Sequence, residues 1–163
     1  MGCRVDLGLT MNHQNYVLGF AFNMDRTRVV MIKKTRPAWQ AGKLNGIGGK
    51  IDPGEDPIDA MCREFHEETG VPTQPADWHY FADLKALDAN VHCYRLFDDK
   101  ILAARTVEDQ KIVLVETDID VLRETALASC AWLITIALDN DVALSFVTAN
   151  YNQKFTMDKK VVG

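Results

Sequence analysis

The sequence has little of what marks secreted, membrane or zinc-binding proteins. Its 163 residues include four cysteines, scattered as Cys3, Cys62, Cys93 and Cys130, with no Cys-x-x-Cys pair. This spacing argues against a zinc site and against a disulfide scaffold, so we expect reduced thiols. No apolar run approaches the roughly 20 residues that a membrane-spanning helix needs. The first residues also lack the basic and apolar segments of a signal peptide, and we expect a cytoplasmic protein with no membrane partner.

An overall excess of basic residues is also lacking, since the net charge is -5. This charge argues against binding to a nucleic-acid polymer. Its distribution is uneven: between residues 26 and 51 every charged residue is basic, and between 52 and 68 all but Arg63 are acidic. A basic loop facing carboxylates is what a metal-dependent phosphate site requires, although two solvated faces of opposite charge fit the pattern as well. The length predicts a single domain over residues 1–163.

Runs of β-branched and aromatic residues predict a sheet built largely from hairpins. Residues 16–22 and 28–34 form the first predicted hairpin, and residues 79–87 and 91–97 form the second. A further strand is predicted over residues 111–117. Residues 37–56 are rich in glycine and proline, and we expect a long functional loop without regular structure there.

A helix is predicted to follow this loop, over residues 57–69. Asp56 is placed to cap it, Pro57 suits its first position, and Gly70 is placed to end it. At about 100° per residue, one arc of this helix is apolar and a second arc, about 120° away, is acidic. The apolar arc contains Ile58, Met61, Cys62 and Phe65, and the acidic arc contains Glu64, Glu67 and Glu68. A second helix is predicted to begin near Trp132, within residues 131–146.

The three glutamates have spacings at which like charges repel each other on a helix. They can form an ordinary exposed acidic face, but the residues around them favour a site. The preceding glycine-rich turn, residues 46–55, supplies Glu55, which Arg63 can bind while the other carboxylates stay available. Oxygen ligands without histidine or cysteine suit Mg²⁺, with Mn²⁺ as an alternative.

The pattern from Gly49 through Glu55 to the run REFHEETGV, residues 63–71, resembles the Nudix box of the Nudix hydrolases. The resemblance implies an α/β fold, the Nudix fold, in which an α/β/α sandwich surrounds a mixed β-sheet. It also implies Mg²⁺-dependent hydrolysis of a nucleoside diphosphate linked to another group.

The resemblance also implies roles for individual residues. Glu67 and Glu68 correspond to metal ligands, Glu64 to a further ligand or the general base, and the Gly48 carbonyl to a backbone ligand. Glu55 and Arg63 correspond to the pair that supports these catalytic residues. Members of the family often use one more acid from a later loop, where this sequence offers Glu108 or Asp109, although either can be an ordinary loop charge.

The entrance to the box, LNGIGGK over residues 44–50, is similar to the WNGxGGK form of the 8-oxo-dGTP diphosphatase branch. Asn45 matches the asparagine that helps to hold a purine there, whereas Leu44 replaces the tryptophan. The adjacent aspartates by which that branch reads the oxidised base have no counterpart in residues 126–132. Further substrate-binding candidates are the basic residues Lys34, Arg36 and Lys50, and Trp39 or Trp132, which can stack on a base.

We therefore expect a Nudix pyrophosphohydrolase acting on a small nucleotide, most simply a (d)NTP or a modified purine nucleotide, in nucleotide-pool sanitation. A nucleotide sugar, ADP-ribose or a dinucleotide is the alternative substrate. A catalytically silent Nudix-fold module that binds a nucleotide is the alternative from another class, although silent members generally lose box glutamates that this chain keeps. Either a monomer or a homodimer is compatible with the sequence.

Overall fold

The computed structural model describes residues 13–139 and 146–154. The strands within these ranges are β1 Gln14–Phe22, β2 Arg28–Lys33, β3 Leu44–Asn45, β4 Ile47–Lys50, β5 His79–Lys85, β6 Ala89–Phe97, β7 Ile112–Glu116 and β8 Val147–Asn150. The helices are α1 Pro57–Thr69, α2 Ile119–Thr125 and α3 Ala128–Leu138, with 3₁₀ turns at Pro75–Asp77 and Asp99–Ala103. None of the described helices is long and apolar enough to cross a membrane.

The strands form one mixed sheet. Its main path runs β3-β2-β1-β6-β5-β8, while β4 pairs with β1 and β7 pairs with β2. The long strands β1 and β6 are parallel, in register from Gln14 opposite Ala89 to Phe22 opposite Phe97. β5 and β8 are also parallel, whereas β1 with β2, β1 with β4 and β5 with β6 are antiparallel. The mixed sheet follows from hairpins joined by longer connections.

The core lies on both faces of the sheet because side chains alternate along each strand. In β1, Val17 and Ala21 face a cluster that includes Met61 and Phe65 of α1. Phe20 and Phe22 point to the opposite face, into a cluster formed with buried residues of α2 and α3, namely Leu122, Leu133 and Ile134. Helices therefore cover both faces, which confirms the predicted α/β/α sandwich around a mixed sheet.

Helix α1 has the predicted bounds. Gly70 ends it in the left-handed region at φ 75°, where glycine is favoured, and its N–H bonds to the His66 carbonyl. Asp56 stands at the N-cap, but its side chain makes no capping hydrogen bond, which corrects that part of the prediction. Met61 and Phe65 of the apolar arc are fully buried, whereas Ile58 and Cys62 are half-buried at its edge.

The predicted strand pairs are confirmed, but the prediction of an irregular loop over residues 37–56 is wrong in part. β3 and β4 lie inside this range, because β2 and β1 offer them hydrogen-bonding edges from elsewhere in the chain. The second helix begins at Ala128, before Trp132, and α2 and β8 were not predicted. Residues 140–145 of the predicted second helix lie outside the described residues.

Candidate functional site

The glycines of β4 allow the glutamate helix to lie close to the sheet. Gly48 pairs with Leu18 and Gly49 with Val17, and α1 packs over both strands. A Cβ atom at Gly49 would overlap the carboxylate of Glu64, and one at Gly48 would overlap the backbone carbonyl of Val17. The glycine-rich turn is therefore needed to seat a carboxylate directly against the strand.

Arg63 joins this turn to the helix. Its Nε donates to Glu55 Oε1 at 2.8 Å and its Nη2 donates to Glu55 Oε2 at 2.9 Å, so the pair is bidentate. Its Nη2 also donates to the Lys50 carbonyl at 3.1 Å. Because of the hydrogen bonds between Arg63 and Glu55, the pKa of Glu55 lies below its ordinary value and the pKa of Arg63 is raised. The structure thus brings together the two residues that the resemblance pairs.

The same guanidinium holds two of the three helix glutamates. Arg63 Nη1 lies 2.9 Å from Glu64 Oε1 and 3.3 Å from Glu67 Oε2. The Glu64 pKa is nevertheless raised, first by burial and then by the charges of Glu67 and Glu108, which outweigh the opposing effect of Arg63. Arg63 therefore balances only part of the negative charge on this face of α1.

Glu68 is the carboxylate that the protein leaves unsatisfied. Its Oε2 atom is buried and has no hydrogen-bond partner among the residues that the structure describes. Burial and, after it, the Glu64 charge raise the pKa of Glu68 to about 8, while Lys34 acts in the opposite direction. A buried acceptor without a donor is costly, so this position favours a cation that arrives from outside the chain.

The donor set fits a hard divalent cation. In residues 13–139 and 146–154 no three His, Cys, Asp or Glu side chains are already arranged around a metal position. Two of the glutamates instead bind Arg63, as described above. Mg²⁺ needs no complete protein cage, since it commonly uses one or two carboxylates together with waters and substrate phosphates. Glu68, with Glu64 and Glu67 beside it, meets that requirement.

A cleft of about 400 Å³ adjoins the glutamates. Its wall includes Glu68, Gly48 and Gly49, so it reaches the carboxylate cluster. The rest of the wall is mainly apolar with a few polar groups, and it includes Leu18, Leu84, Val91, Leu127, Lys34, Trp39, Gln40, Asn45 and Ser129. Such a lining suits a ligand with one flat apolar part and one charged part.

The predicted substrate-binding residues divide into two groups. Lys34 and Asn45 line the cleft. The other three do not: Arg36 binds Asp109 at the surface at 2.8 Å, the Lys50 side chain is exposed, and Trp132 packs half-buried against the core. Burial lowers the pKa of Lys34, while the Glu68 charge opposes this shift.

The structure distinguishes between the two acids of the later loop. Asp109 is held by Arg36, which lowers its pKa. Glu108 is close enough for its charge to raise the pKa of both Glu64 and Glu68. Glu108 therefore belongs to the electrostatic surroundings of the glutamate cluster, whereas Asp109 is paired with an arginine.

Sequence reasoning missed one part of the cleft and named another. Leu127 and Ser129 line the cleft, but the sequence offered only Trp132 in residues 126–132 as a candidate. Trp39, which the sequence offered as a base-stacking candidate, lines the cleft with 47% of its surface exposed.

The α/β/α sandwich, the glycine-rich turn and the glutamate helix together define a Nudix-type site. The NUDIX domain model matches residues 12–132, and the chain belongs to that family. Among curated proteins, it is 47% identical over 38 residues to RNA pyrophosphohydrolase of Bartonella quintana (strain Toulouse), covering 20% of this chain and 22% of that protein. It is 27% identical over 100 residues to methanol dehydrogenase activator of Bacillus methanolicus, and this match covers 59% of this chain and 54% of that protein. The chain thus spans about a fifth of the length of the first relative and about half of the length of the second.

Solved structures agree with the fold. A structure from work on MutT of Aliivibrio salmonicida and Vibrio cholerae covers 80% of this chain and 100% of its own, at 19% identity and a TM-score of 0.61. The structure of MutT from Bacillus halodurans covers 85% of this chain and 90% of its own, at 16% identity and a TM-score of 0.59. At this level of identity the likeness concerns the fold alone.

Proposed function

We propose that the protein is a Mg²⁺-dependent Nudix pyrophosphohydrolase that cleaves the diphosphate linkage of a nucleoside diphosphate derivative. The observation that carries this proposal is Glu68, a half-buried carboxylate beside Glu64 at the edge of a cleft, whose buried Oε2 atom has no hydrogen-bond partner in the described residues. A chain selected only for stability has no reason to keep this arrangement, since it costs folding free energy without a cation. Membership of the NUDIX family supports the proposal.

The chain's own residues have separate roles in this proposal. Glu67 and Glu68 hold the metal, Glu64 serves as a further ligand or as the general base, and the Gly48 carbonyl adds a backbone oxygen. Arg63 and Glu55 fix the position of the turn against α1. A bound divalent cation would offset the charge of the diphosphate and lower the pKa of the attacking water. Mn²⁺ is an alternative to Mg²⁺ with the same oxygen ligands.

The substrate that we favour is a (d)NTP or a modified purine nucleotide. Lys34 lies in the cleft with Glu68, where its ammonium group can bind phosphates. Trp39 and the apolar wall suit a base, and we assign base stacking to Trp39 in place of Trp132 because Trp132 packs on the core. Arg36 can contribute to phosphate binding only by leaving Asp109.

A nucleotide sugar, ADP-ribose or a dinucleotide is the alternative substrate class, because Trp39 is exposed as well as lining the cleft and can contact a second group of a longer ligand. Another class of function is a silent module that binds a nucleotide without cleaving it. The retention of Glu64, Glu67 and Glu68 beside the cleft favours the enzyme over the silent module.

The test is product analysis after incubation with Mg²⁺ and a panel of dNTPs, 8-oxo-dGTP, ADP-ribose, NADH and diadenosine polyphosphates. We expect cleavage of one substrate class by the wild type, and loss of at least about a hundredfold in Glu68→Gln or in EDTA. Glu124→Gln is the matched control, since Glu124 is exposed on α2, and it should retain wild-type turnover. Absence of cleavage across the panel, or equal rates in Glu68→Gln, would refute the proposal.

A further inference from the structure

The side-chain amide of Asn45 has a fixed orientation beside the cleft. The Gly46 backbone nitrogen, which can only donate, lies 2.8 Å from one end of this amide, so that end is the oxygen Oδ1. The Cys130 Sγ lies 3.1 Å from the same oxygen. Among residues 13–139 and 146–154, Nδ2 donates no hydrogen bond. The NH₂ group is also not buried, and Asn45 lines the cleft.

Cys130 is held rigidly in its place against Asn45. It is fully buried in α3, and the Leu127 N–H donates to the Leu44 carbonyl at 2.9 Å, which attaches the start of this helix to β3. Leu44 also forms a parallel bridge with Ala126. Burial raises the pKa of the Cys130 thiol to about 12, so at neutral pH the sulfur keeps its proton and can donate it to Oδ1.

We infer that Cys130 is a positioning residue for base recognition, which fixes Asn45 so that the cleft presents an NH₂ donor to the ligand. This inference deepens the proposed function, because it takes the cleft to be the nucleotide site. If Asn45 were free to turn, it could present either a donor or an acceptor and would select weakly between bases. With Oδ1 occupied by two donors, the amide selects a base that presents an acceptor.

The chemical consequence concerns the purine 6-position. A 6-keto purine presents an oxygen acceptor there, whereas a 6-amino purine presents a donor that would face the NH₂ group of Asn45. Ser129 lines the same cleft, and its hydroxyl can donate or accept, so it does not discriminate by itself. The expected preference is therefore for a 6-keto purine over a 6-amino purine.

The experiment measures dissociation constants for GMP and AMP without divalent metal, so that neither turnover nor metal binding contributes. The wild type should prefer GMP. Cys130→Ala removes the donor to Asn45. It should lower the ratio of the AMP dissociation constant to the GMP dissociation constant by about two- to tenfold, the range expected for one hydrogen bond. Cys130→Ser keeps a donor and should restore the wild-type ratio to within about twofold.

Cys93→Ala is the matched control. Cys93 is fully buried in the same hydrophobic cluster as Cys130, and its thiol is directed to the Val91 carbonyl at 3.8 Å instead of to Asn45. A purely structural effect of losing a buried thiol would change both nucleotides alike in either alanine variant. Cys93→Ala should therefore keep the wild-type ratio.

Asn45→Asp is a second variant, for the case in which Cys130→Ala fails to fold. It removes the NH₂ donor from the cleft and should abolish the preference for GMP. The inference is overturned if the wild type binds neither nucleotide or shows no preference, if Cys130→Ala or Asn45→Asp retains the preference, or if Cys93→Ala loses it equally. A preserved preference without hydrolysis of any substrate would refute the proposed function alone.

Discussion

At the scale of single residues, Glu68 has the most unfavourable surroundings described in the site. It is a half-buried carboxylate beside Glu64, and its Oε2 atom has no donor in the described part of the chain. In the metal-free protein its pKa is about 8 instead of its ordinary value of 4.5. The folded state therefore binds a proton more tightly than the unfolded state does, which links stability to pH.

Glu68→Gln should change this pH dependence. Between about pH 5 and 8 the wild type loses stability as pH rises, because folding then requires an ionised carboxylate in a site that favours the protonated form. In EDTA the variant should lack this loss. The difference in unfolding free energy, variant minus wild type, should therefore increase by a few kcal/mol from pH 5 to pH 9. Urea unfolding at several pH values measures the difference. A constant difference would contradict the assigned burial of Glu68.

Gly49→Ala tests the close approach of Glu64 to the strand. The added methyl group would overlap the Glu64 carboxylate, so this glutamate must move away from β4. We expect turnover to fall by about a hundredfold or more, with a smaller loss in thermal stability. Gly42→Ala is the control, because Gly42 has a positive φ of 82° but open space around its Cβ position. Gly42→Ala should lose some stability and keep its activity. Equal turnover in Gly49→Ala and Gly42→Ala would contradict a catalytic role for Glu64 in its place against β4.

At the scale of elements, Arg63 holds the turn after β4 to the middle of α1. Arg63→Ala leaves the mostly buried Glu55 without its bidentate partner and removes the cation between Glu64 and Glu67. We expect the unfolding free energy to fall by about 1–2 kcal/mol, as for a partly buried charge pair. Arg36→Ala removes an arginine whose bond to Asp109 is exposed, and it should leave the urea midpoint unchanged. Similar losses in the two variants would show that Arg63 has no special structural role.

The same scale explains what the sequence could predict. Helix α1 was predicted with its bounds because Pro57, Gly70 and the 3.6-residue period are local signals. Strands β3 and β4 were missed because they depend on pairing with β2 and β1, and local composition indicated only a loop. Helix α2 was missed although its N-cap residue, Asp118, is recognisable in the sequence. The Asp118 side chain accepts hydrogen bonds from the backbone N–H groups of Asp120 and Val121.

The candidate site shows the same division. The glutamates, Arg63 and Glu55 lie within one continuous motif, so their proximity could be predicted. The choice between Glu108 and Asp109 depends on Arg36, which is 73 residues away from Asp109 in the chain. The choice between Trp39 and Trp132 depends on which of them the core covers. Both require the tertiary structure.

At the scale of the whole molecule, the fold brings the basic segment and the acidic helix to one cleft. Lys34, which directly follows β2, and Glu68 from α1 line the same cleft. The net charge of -5 does not indicate this arrangement, because a sum over the chain does not report where opposite charges meet. A cation and a phosphate chain together satisfy both sets of groups, and this is the central claim of the proposed function.

Divalent metal should therefore stabilise the folded protein. A ligand that binds only the native state at a hundred times its dissociation constant adds about 2.7 kcal/mol of stability. We expect Mg²⁺ to raise the melting temperature of the wild type in a concentration-dependent way, and to have little effect on Glu68→Gln. A melting temperature that stays constant across the Mg²⁺ titration of the wild type would contradict this expectation.

The most direct measurement is calorimetric titration of Mn²⁺ into the wild type, Glu68→Gln and the exposed-site control Glu124→Gln, without nucleotide. The proposed site predicts that Glu68→Gln weakens binding by at least about tenfold while Glu124→Gln binds like the wild type. Equal affinity in all three proteins would show that the glutamates of α1 are not the metal site.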